Sequence, residues 1–365
     1  MAETQPSVID PKNAWESQAF KHDRQLLGCR ISPCGKFVFA AAADQFVHRW
    51  NLADESHTAI PGHTSWVGTL AFHPDGKRLV TADYVGGLRC WNYADAAPKP
   101  VWSVDGAHPN AIRALSVSSD GKHIATAGQD HIVRIWSAAD GKRVHELTGH
   151  ESPIFCMAFH PDGKNLVSVE QHGVARHWDI TTGKLVRTLD AGLLFADASL
   201  NGGARSCGPR GLTFDEAGNT LACTGLTKIS DGDRRGGGAT VVLFDWKTGK
   251  QKQLLEAKGA GYAERAVFHP AGFVVAACLT QERGTVQFWK SAGGDPVHSL
   301  KASCRDLDLH PDGNRFAVAE WERFGKSGNN ASTEKLEEFQ PNHGIIRIYT
   351  LTAKPPEAAD KKKAK

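Results

Sequence analysis

The chain carries 17 histidines and 40 acidic residues, and these are the groups to judge first, because imidazole and carboxylate ligate metals and move protons. Four of the histidines, His73, His160, His269 and His310, share one context. Each stands directly before a proline that opens a turn, followed two residues later by Gly76, Gly163, Gly272 or Gly313. A metal centre needs three or four ligands on one ion. Side chains that recur once per copy of a repeat are distributed instead, so these four read as turn histidines and no metal is expected. Covalent catalysis has no visible nucleophile: Gly-x-Ser-x-Gly is absent, as are a P-loop and His-Glu-x-x-His. Gly202-Gly203 and Gly236-Gly237-Gly238 lack the Lys-Ser/Thr and helix start that a phosphate cradle requires, and they read as loops. No cofactor is expected.

The elements that carry these residues form a repeat. The proline position of the turn falls at Pro33, Pro74, Ser119, Pro161, Glu216, Pro270 and Pro311, giving steps of 41, 45, 42, 55, 54 and 41 residues. Whole phrases recur with it, such as Ala71-Phe72-His73-Pro74-Asp75-Gly76-Lys77 and Ala158-Phe159-His160-Pro161-Asp162-Gly163-Lys164. Around each turn lie short alternating apolar runs bounded by Gly, Pro and Asp, which is the pattern of antiparallel strands rather than helices. A period near 40 residues marks a repeat architecture whose units bury their apolar faces against one another.

This frame resembles the WD-repeat (β-transducin-like) family over nearly the whole chain. The resemblance implies an all-β fold: a seven-bladed β-propeller of four-stranded antiparallel blades. The strand ending each copy carries an aromatic: Trp50, Trp91, Trp136, Trp178, Phe244, Trp289 and Tyr349. The family's acidic residue, six positions earlier, survives only as Asp44 and Asp130. Only the third copy therefore holds the full structural tetrad, His108, Thr126, Asp130 and Trp136. His63 and His150 match His108, His172 takes the acidic position of the fourth copy, and the blade of Tyr349 lacks an acidic partner. The last copy has three strand-like segments, so Trp15–Phe20 is expected to supply its outer strand and close the ring. The domain expectation is a disordered 1–13, a propeller over 14–351 and a disordered basic tail over 352–365.

Composition narrows the function classes. A formal net charge of +3 is too small to point to nucleic acid, although the tail carries Lys361, Lys362, Lys363 and Lys365. Residues 1–21 contain no apolar stretch of the secretory kind, and no segment approaches the roughly 18 apolar residues of a membrane helix. None of the eight cysteines forms a Cys-x-x-Cys pair, which suits a reducing, cytoplasmic setting.

The resemblance also implies where a partner binds: the face built from the loop before each blade and the turn between its second and third strands. Laid on that frame, Leu27, Gly68, Arg113, Phe155, Arg210, Glu264 and Arg305 take the inner position. Two residues earlier come Gln25, Trp66, Ala111, Pro153, Gly208, Tyr262 and Ser303, and before the acidic position come Ala43, Tyr84, Gln129 and Gln171. The partner-binding set is thus Trp66, Tyr84, Arg113, Gln129, Phe155, Arg210, Tyr262 and Arg305, rich in the side chains that dominate binding hot spots. The insertions Asp190–Ser206, Lys228–Ala239 and Glu322–His343 fall on the same face. The expectation is a non-catalytic, monomeric scaffold or adaptor for a protein or peptide with an acidic or phosphorylated segment. The alternatives are a propeller enzyme at the channel mouth, with Glu264 and Asp306 side by side on one blade as its acids, and a nucleic-acid-associated module.

Overall fold

A computed structural model describes residues 9–195, 208–227, 237–280, 284–322 and 343–353. Most of the three insertions, and the lysine-rich tail, lie outside the described residues. The described residues form 27 β-strands arranged as seven antiparallel blades. Blade one is Leu26–Ile31, Phe37–Ala42, Val47–Asn51 and His57–Ile60, from innermost to outermost strand. Blades two, three and four repeat this order from inner strands Val67–Phe72, Ile112–Val117 and Ile154–Phe159.

Blades five and six share a strand. Gln251–His269 pairs along its first half with Gly238–Asp245 as the outer edge of blade five, and along its second half with Phe273–Thr280 as the inner edge of blade six. No loop separates the two blades, so their strands form one seven-stranded sheet. Blade seven is Cys304–Leu309, Arg315–Glu322 and His343–Thr350, and its outer strand is Trp15–His22, which pairs antiparallel with His343–Thr350 from Trp15↔Thr350 to His22↔Gly344. The N-terminal strand therefore closes the ring, removing the free edge that would otherwise invite association. Residues 9–13, placed by composition in a disordered segment, include one turn of 3-10 helix, Pro11–Asn13, capped by Asp10, and Ile9 packs against the cluster of blades six and seven.

Seven clusters of buried apolar side chains hold the blades together, each drawn from two neighbours. Every cluster contains the third-strand aromatic of its later blade, from Trp50 at the seam of blades seven and one to Tyr349 at that of six and seven. Second strands supply small residues, such as Ala40, Ala125, Ala127, Ala276 and Ala317. Bulk thus rises outward from the axis, as wedge-shaped sheets around a ring require.

Histidines of the turns act as clasps. His73 Nε2 donates to the Gly121 carbonyl at 2.7 Å, His160 to Gly218 at 3.0 Å, His269 to Gly313 at 2.7 Å and His310 to Gly35 at 2.9 Å. The Nδ1 of each accepts a backbone N–H two residues on, at 3.0–3.2 Å, which fixes the tautomer. The last clasp joins blade seven to blade one. Gly35 holds φ +68°, and a Cβ there would lie 2.7 Å from the His310 ring, so glycine serves both the turn and the contact.

Removing residues 1–22 takes away the strand that closes the ring and bares the edge His343–Thr350. The melting temperature is expected to fall by about 10 °C or more, corresponding to a loss of a few kcal/mol. A thermal melt indistinguishable from that of the intact chain would show that closure adds nothing.

Candidate functional site

The face is positioned by two backbone devices. At the start of the innermost strand the pairing register slips by one residue in six blades, leaving Leu27, Gly68, Arg113, Phe155, Glu264 and Arg305 as the unpaired residue of a β-bulge. A bulge bends its strand and re-aims one side chain, which turns these positions from the sheet toward the rim. The second device ties neighbouring loops together. The N–H of Ala43, Tyr84, Gln129 and Gln171 donates to the carbonyl of Gln25, Trp66, Ala111 and Pro153, at 2.8, 3.0, 3.3 and 2.9 Å.

On this frame the aromatic and arginine side chains meet in two groups. Trp66, 51% exposed, packs edge-on to Tyr84 with ring centroids 6.0 Å apart. The Arg113 guanidinium lies 5.0 Å from the Tyr84 ring centre and donates to its hydroxyl at 3.5 Å. Arg210 stands between two rings, 5.8 Å from Phe155 and 5.1 Å from Tyr262. Cation–π contact of this kind holds a guanidinium in place without cancelling its charge. Gln129 is exposed and Arg305 half-buried. Burial raises the Glu264 carboxyl from its ordinary value, against the pull of Arg210 and Arg305.

Glu264 and Asp306 do not share a blade. Glu264 lies on the inner strand of blade six and Asp306 on that of blade seven; Arg30 of blade one meets Asp306 at 2.6 Å. Arg265 approaches Asp306 at 3.6 Å and Asp308 at 3.8 Å. The expected acid pair is thus part of a charge cluster spanning three blades, and burial pushes the Asp308 carboxyl up. Arg30 has no signal in the local sequence because its partner Asp306 lies 276 residues away, across the closure of the ring.

Beneath the face run the polar chains. In blade three Trp136 Nε1 donates to Thr126 Oγ1 at 2.7 Å, which lies 2.7 Å from His108 Nε2, while His108 Nδ1 faces Asp130 at 3.0 Å. Two more blades carry the same chain. Blade two joins Trp91, Thr81, His63 and Asp83 at 2.8, 2.7 and 2.8 Å. Blade four joins Trp178, Ser168, His150 and Glu170 at 2.8, 2.7 and 2.7 Å. The family spacing places the acid six residues before the aromatic, but in these blades it stands two residues after the hydroxyl, on the same face of the strand. His172 is accordingly no part of the chain; it is exposed and lies edge-on to Phe195. Blade seven also has its acid: Glu320 accepts from Tyr349 at 3.4 Å and from Arg347 at 3.1 Å.

The direction of each bond follows from the donors. The indole N–H can only donate, so the hydroxyl passes its proton to histidine Nε2 and Nδ1–H goes to the carboxylate. Histidine must be neutral for every group to be satisfied. Burial depresses His150 to about 4, despite the attraction of Glu170, and lowers His108 as well. Blade one departs from this scheme: Ala40 replaces the hydroxyl, and the ligand atoms of His22, Asp44 and His48 gather within 4.8 Å of one another.

Seven wedge-packed blades, closed by the N-terminal strand and pinned by Trp–hydroxyl–His–carboxylate chains, define a β-propeller of the repeat-built kind. The family model "WD domain, G-beta repeat" matches residues 54–92, 98–137 and 141–179, so three WD repeats lie within blades one to four of this seven-bladed propeller. It is similar to apoptotic protease-activating factor 1 of Rattus norvegicus, 24% identical over 40% of this chain and 12% of that protein. It is also similar to nuclear distribution protein nudF 2 of Talaromyces marneffei, 30% identical over 30% of this chain and 24% of that protein. The ribosome biogenesis protein WDR12 homolog of Drosophila virilis is 29% identical over 30% of this chain and 27% of its own length. The match therefore spans about a quarter or less of these relatives.

Two outcomes test the polar chains. Trp136→Ala empties a large buried site and strips Thr126 of its donor, so denaturant melts should show a loss of about 3–5 kcal/mol. Protonation sets the pH response. His150 is depressed from its ordinary 6.5 to about 4, so the stability it contributes is complete above pH 6.5 and is lost as pH falls toward 4. Between pH 7 and 5 the intact protein should lose about 1–2 kcal/mol more than His150→Gln, which keeps a donor for Glu170 without the titration. Equal losses in the two proteins would remove His150 from the account.

Proposed function

We propose that this chain is a non-catalytic scaffold or adaptor that holds a protein or peptide partner on its loop-rich face. The observation that carries the reading is the pair of guanidinium–aromatic groups, Trp66–Tyr84–Arg113 and Phe155–Arg210–Tyr262, raised on bulged strands of a rigid ring. WD-repeat propellers are in general platforms for protein interaction. The guanidiniums favour carboxylate or phosphate, and their planar forks bind such groups in a directed way. The partner is accordingly one with an acidic or phosphorylated segment, whose apolar part lies against Trp66, Tyr84 and Phe155. The seven free cysteines among the described residues support a reducing, cytoplasmic setting, and no helix among the described residues is long and apolar enough to cross a membrane.

Acidic and phosphorylated peptides arrayed on a surface test this directly. Peptides retained by the intact protein should bind Arg113→Glu and Trp66→Ala at least about tenfold more weakly, or about 1.5 kcal/mol, with melting temperatures unchanged. Peptides indifferent to both substitutions would place the binding surface elsewhere.

A further inference from the structure

Blade one has the family's histidine, acid and tryptophan positions filled by His22, Asp44 and Trp50, yet it builds nothing like the chains of blades two to four. Its hydroxyl position is Ala40, so the indole has no relay, and Trp50 instead stacks on His57 with centroids 4.8 Å apart. The imidazole of His22 is turned the other way. In blades two to four it is Nδ1 that faces the carboxylate, whereas here Nε2 of His22 lies 3.2 Å from Asp44 Oδ2. A second imidazole reaches the same oxygen: His48 Nε2 is 3.0 Å from Asp44 Oδ2. His48 stands two residues before the tryptophan, where blades two, three and four carry Arg89, Arg134 and Arg176. An arginine there would close the site with a fixed charge; an imidazole leaves a lone pair.

We propose that His22 Nε2, His48 Nε2 and Asp44 Oδ2 form a site for a divalent transition metal, Zn²⁺ by the chemistry of the donors, at the seam between blades seven and one. Two imidazoles and one carboxylate are the donors of zinc centres that keep a fourth position open. With metal–ligand bonds of roughly 2.0–2.1 Å, the edge of a tetrahedron is about 3.3 Å. The two edges through Asp44 already measure 3.0 and 3.2 Å.

The atoms that do not face the centre are each held from behind. His48 Nδ1 pairs with His57 Nε2 at 3.0 Å, His22 Nδ1 lies 3.5 Å from Asp23 Oδ1, and Asp44 Oδ1 accepts the Phe46 N–H at 2.8 Å. Such outer partners fix the tautomer of a ligating histidine and orient its lone pair. His22 and His48 keep only 9% and 3% of their side chains exposed, while Asp44 keeps 20%, so solvent reaches the cluster chiefly at Asp44. His22 ends the strand that closes the ring and Asp44 and His48 belong to blade one, so a bound ion would tie the closing strand to its neighbour.

The test uses the full-length protein, freed of metal with a chelator and titrated with ZnCl₂ by calorimetry alongside thermal melts. The expected result is one equivalent of Zn²⁺ and a raised melting temperature, since the ion binds the folded seam and not the unfolded chain. His48→Arg, which restores the residue of the sibling blades, and Asp44→Asn should each abolish saturable binding. His57→Ala, a positioning residue, should weaken it at least about tenfold, and exposed His172→Ala should leave it unchanged. If His48→Arg fails to fold, Asp44→Asn decides. Absence of saturable binding to the intact protein, or one-to-one binding that survives Asp44→Asn, would overturn the proposal.

Discussion

A ring of sheets has one seam that the chain cannot close by continuing, and every other contact depends on it. Here it lies between blades seven and one, where residues more than 270 positions apart must meet. The N-terminal strand pairs with His343–Thr350, Arg30 reaches Asp306, and His310 clasps the turn at Gly35. Each is a long-range contact whose chain entropy is recovered only when the ring is complete. The other six interfaces are apolar clusters of the same make, but each joins blades already neighbours in sequence. The seam alone must hold the ends of the propeller together, and it adds hydrogen bonds and an ion pair to an apolar cluster that includes the stacked Phe20 and Trp50.

The repeat frame was legible because its signals are local. Proline and glycine at the turn, a period of two in the strands and an aromatic on the third strand are fixed by backbone geometry within a few residues. The turn histidines were also legible as structural, since one per copy argues against a common centre. What the sequence concealed was the acid of the polar chain. A carboxylate can reach the histidine from the turn, as Asp130 does four residues after Thr126. It can also stand on the strand, as Asp83 and Glu170 do facing a histidine and Glu320 does facing Tyr349, on the same face as residues 81, 168 and 318. Searching one spacing missed the other three, although alternation along the strand points to them.

The binding face was readable as a set of positions and opaque as a set of contacts. That Trp66 and Tyr84 adjoin follows from one hydrogen bond between their loops, which recurs in blades one, three and four. That Arg113 folds over Tyr84 depends on a one-residue slip in the strand register, and such a slip has no mark in composition; Arg210 reaches Phe155 and Tyr262 from a blade whose inner strand has no slip. The acids were misplaced for a related reason. The boundary between blades five and six lies inside the unbroken strand Gln251–His269, so Glu264 opens a blade of its own rather than joining Asp306.

Blade one shows what the polar chain does elsewhere by lacking it. With Ala40 in place of the hydroxyl, the imidazole of His22 has no reason to point at the indole, and it turns to Asp44. Trp50 keeps its packing role through Phe20 and His57, so the apolar function of the tryptophan is separable from its hydrogen bond. Trp289 makes the same point from the other side: it is fully buried, with Ala276 at the hydroxyl position and no hydrogen bond to its indole N–H. The aromatic is therefore held by the demand for bulk at the outer part of each wedge, and the chain of hydrogen bonds is an addition that blades two, three and four retain. Where that addition has been lost at the seam, the freed polar groups converge on one another instead of on the core.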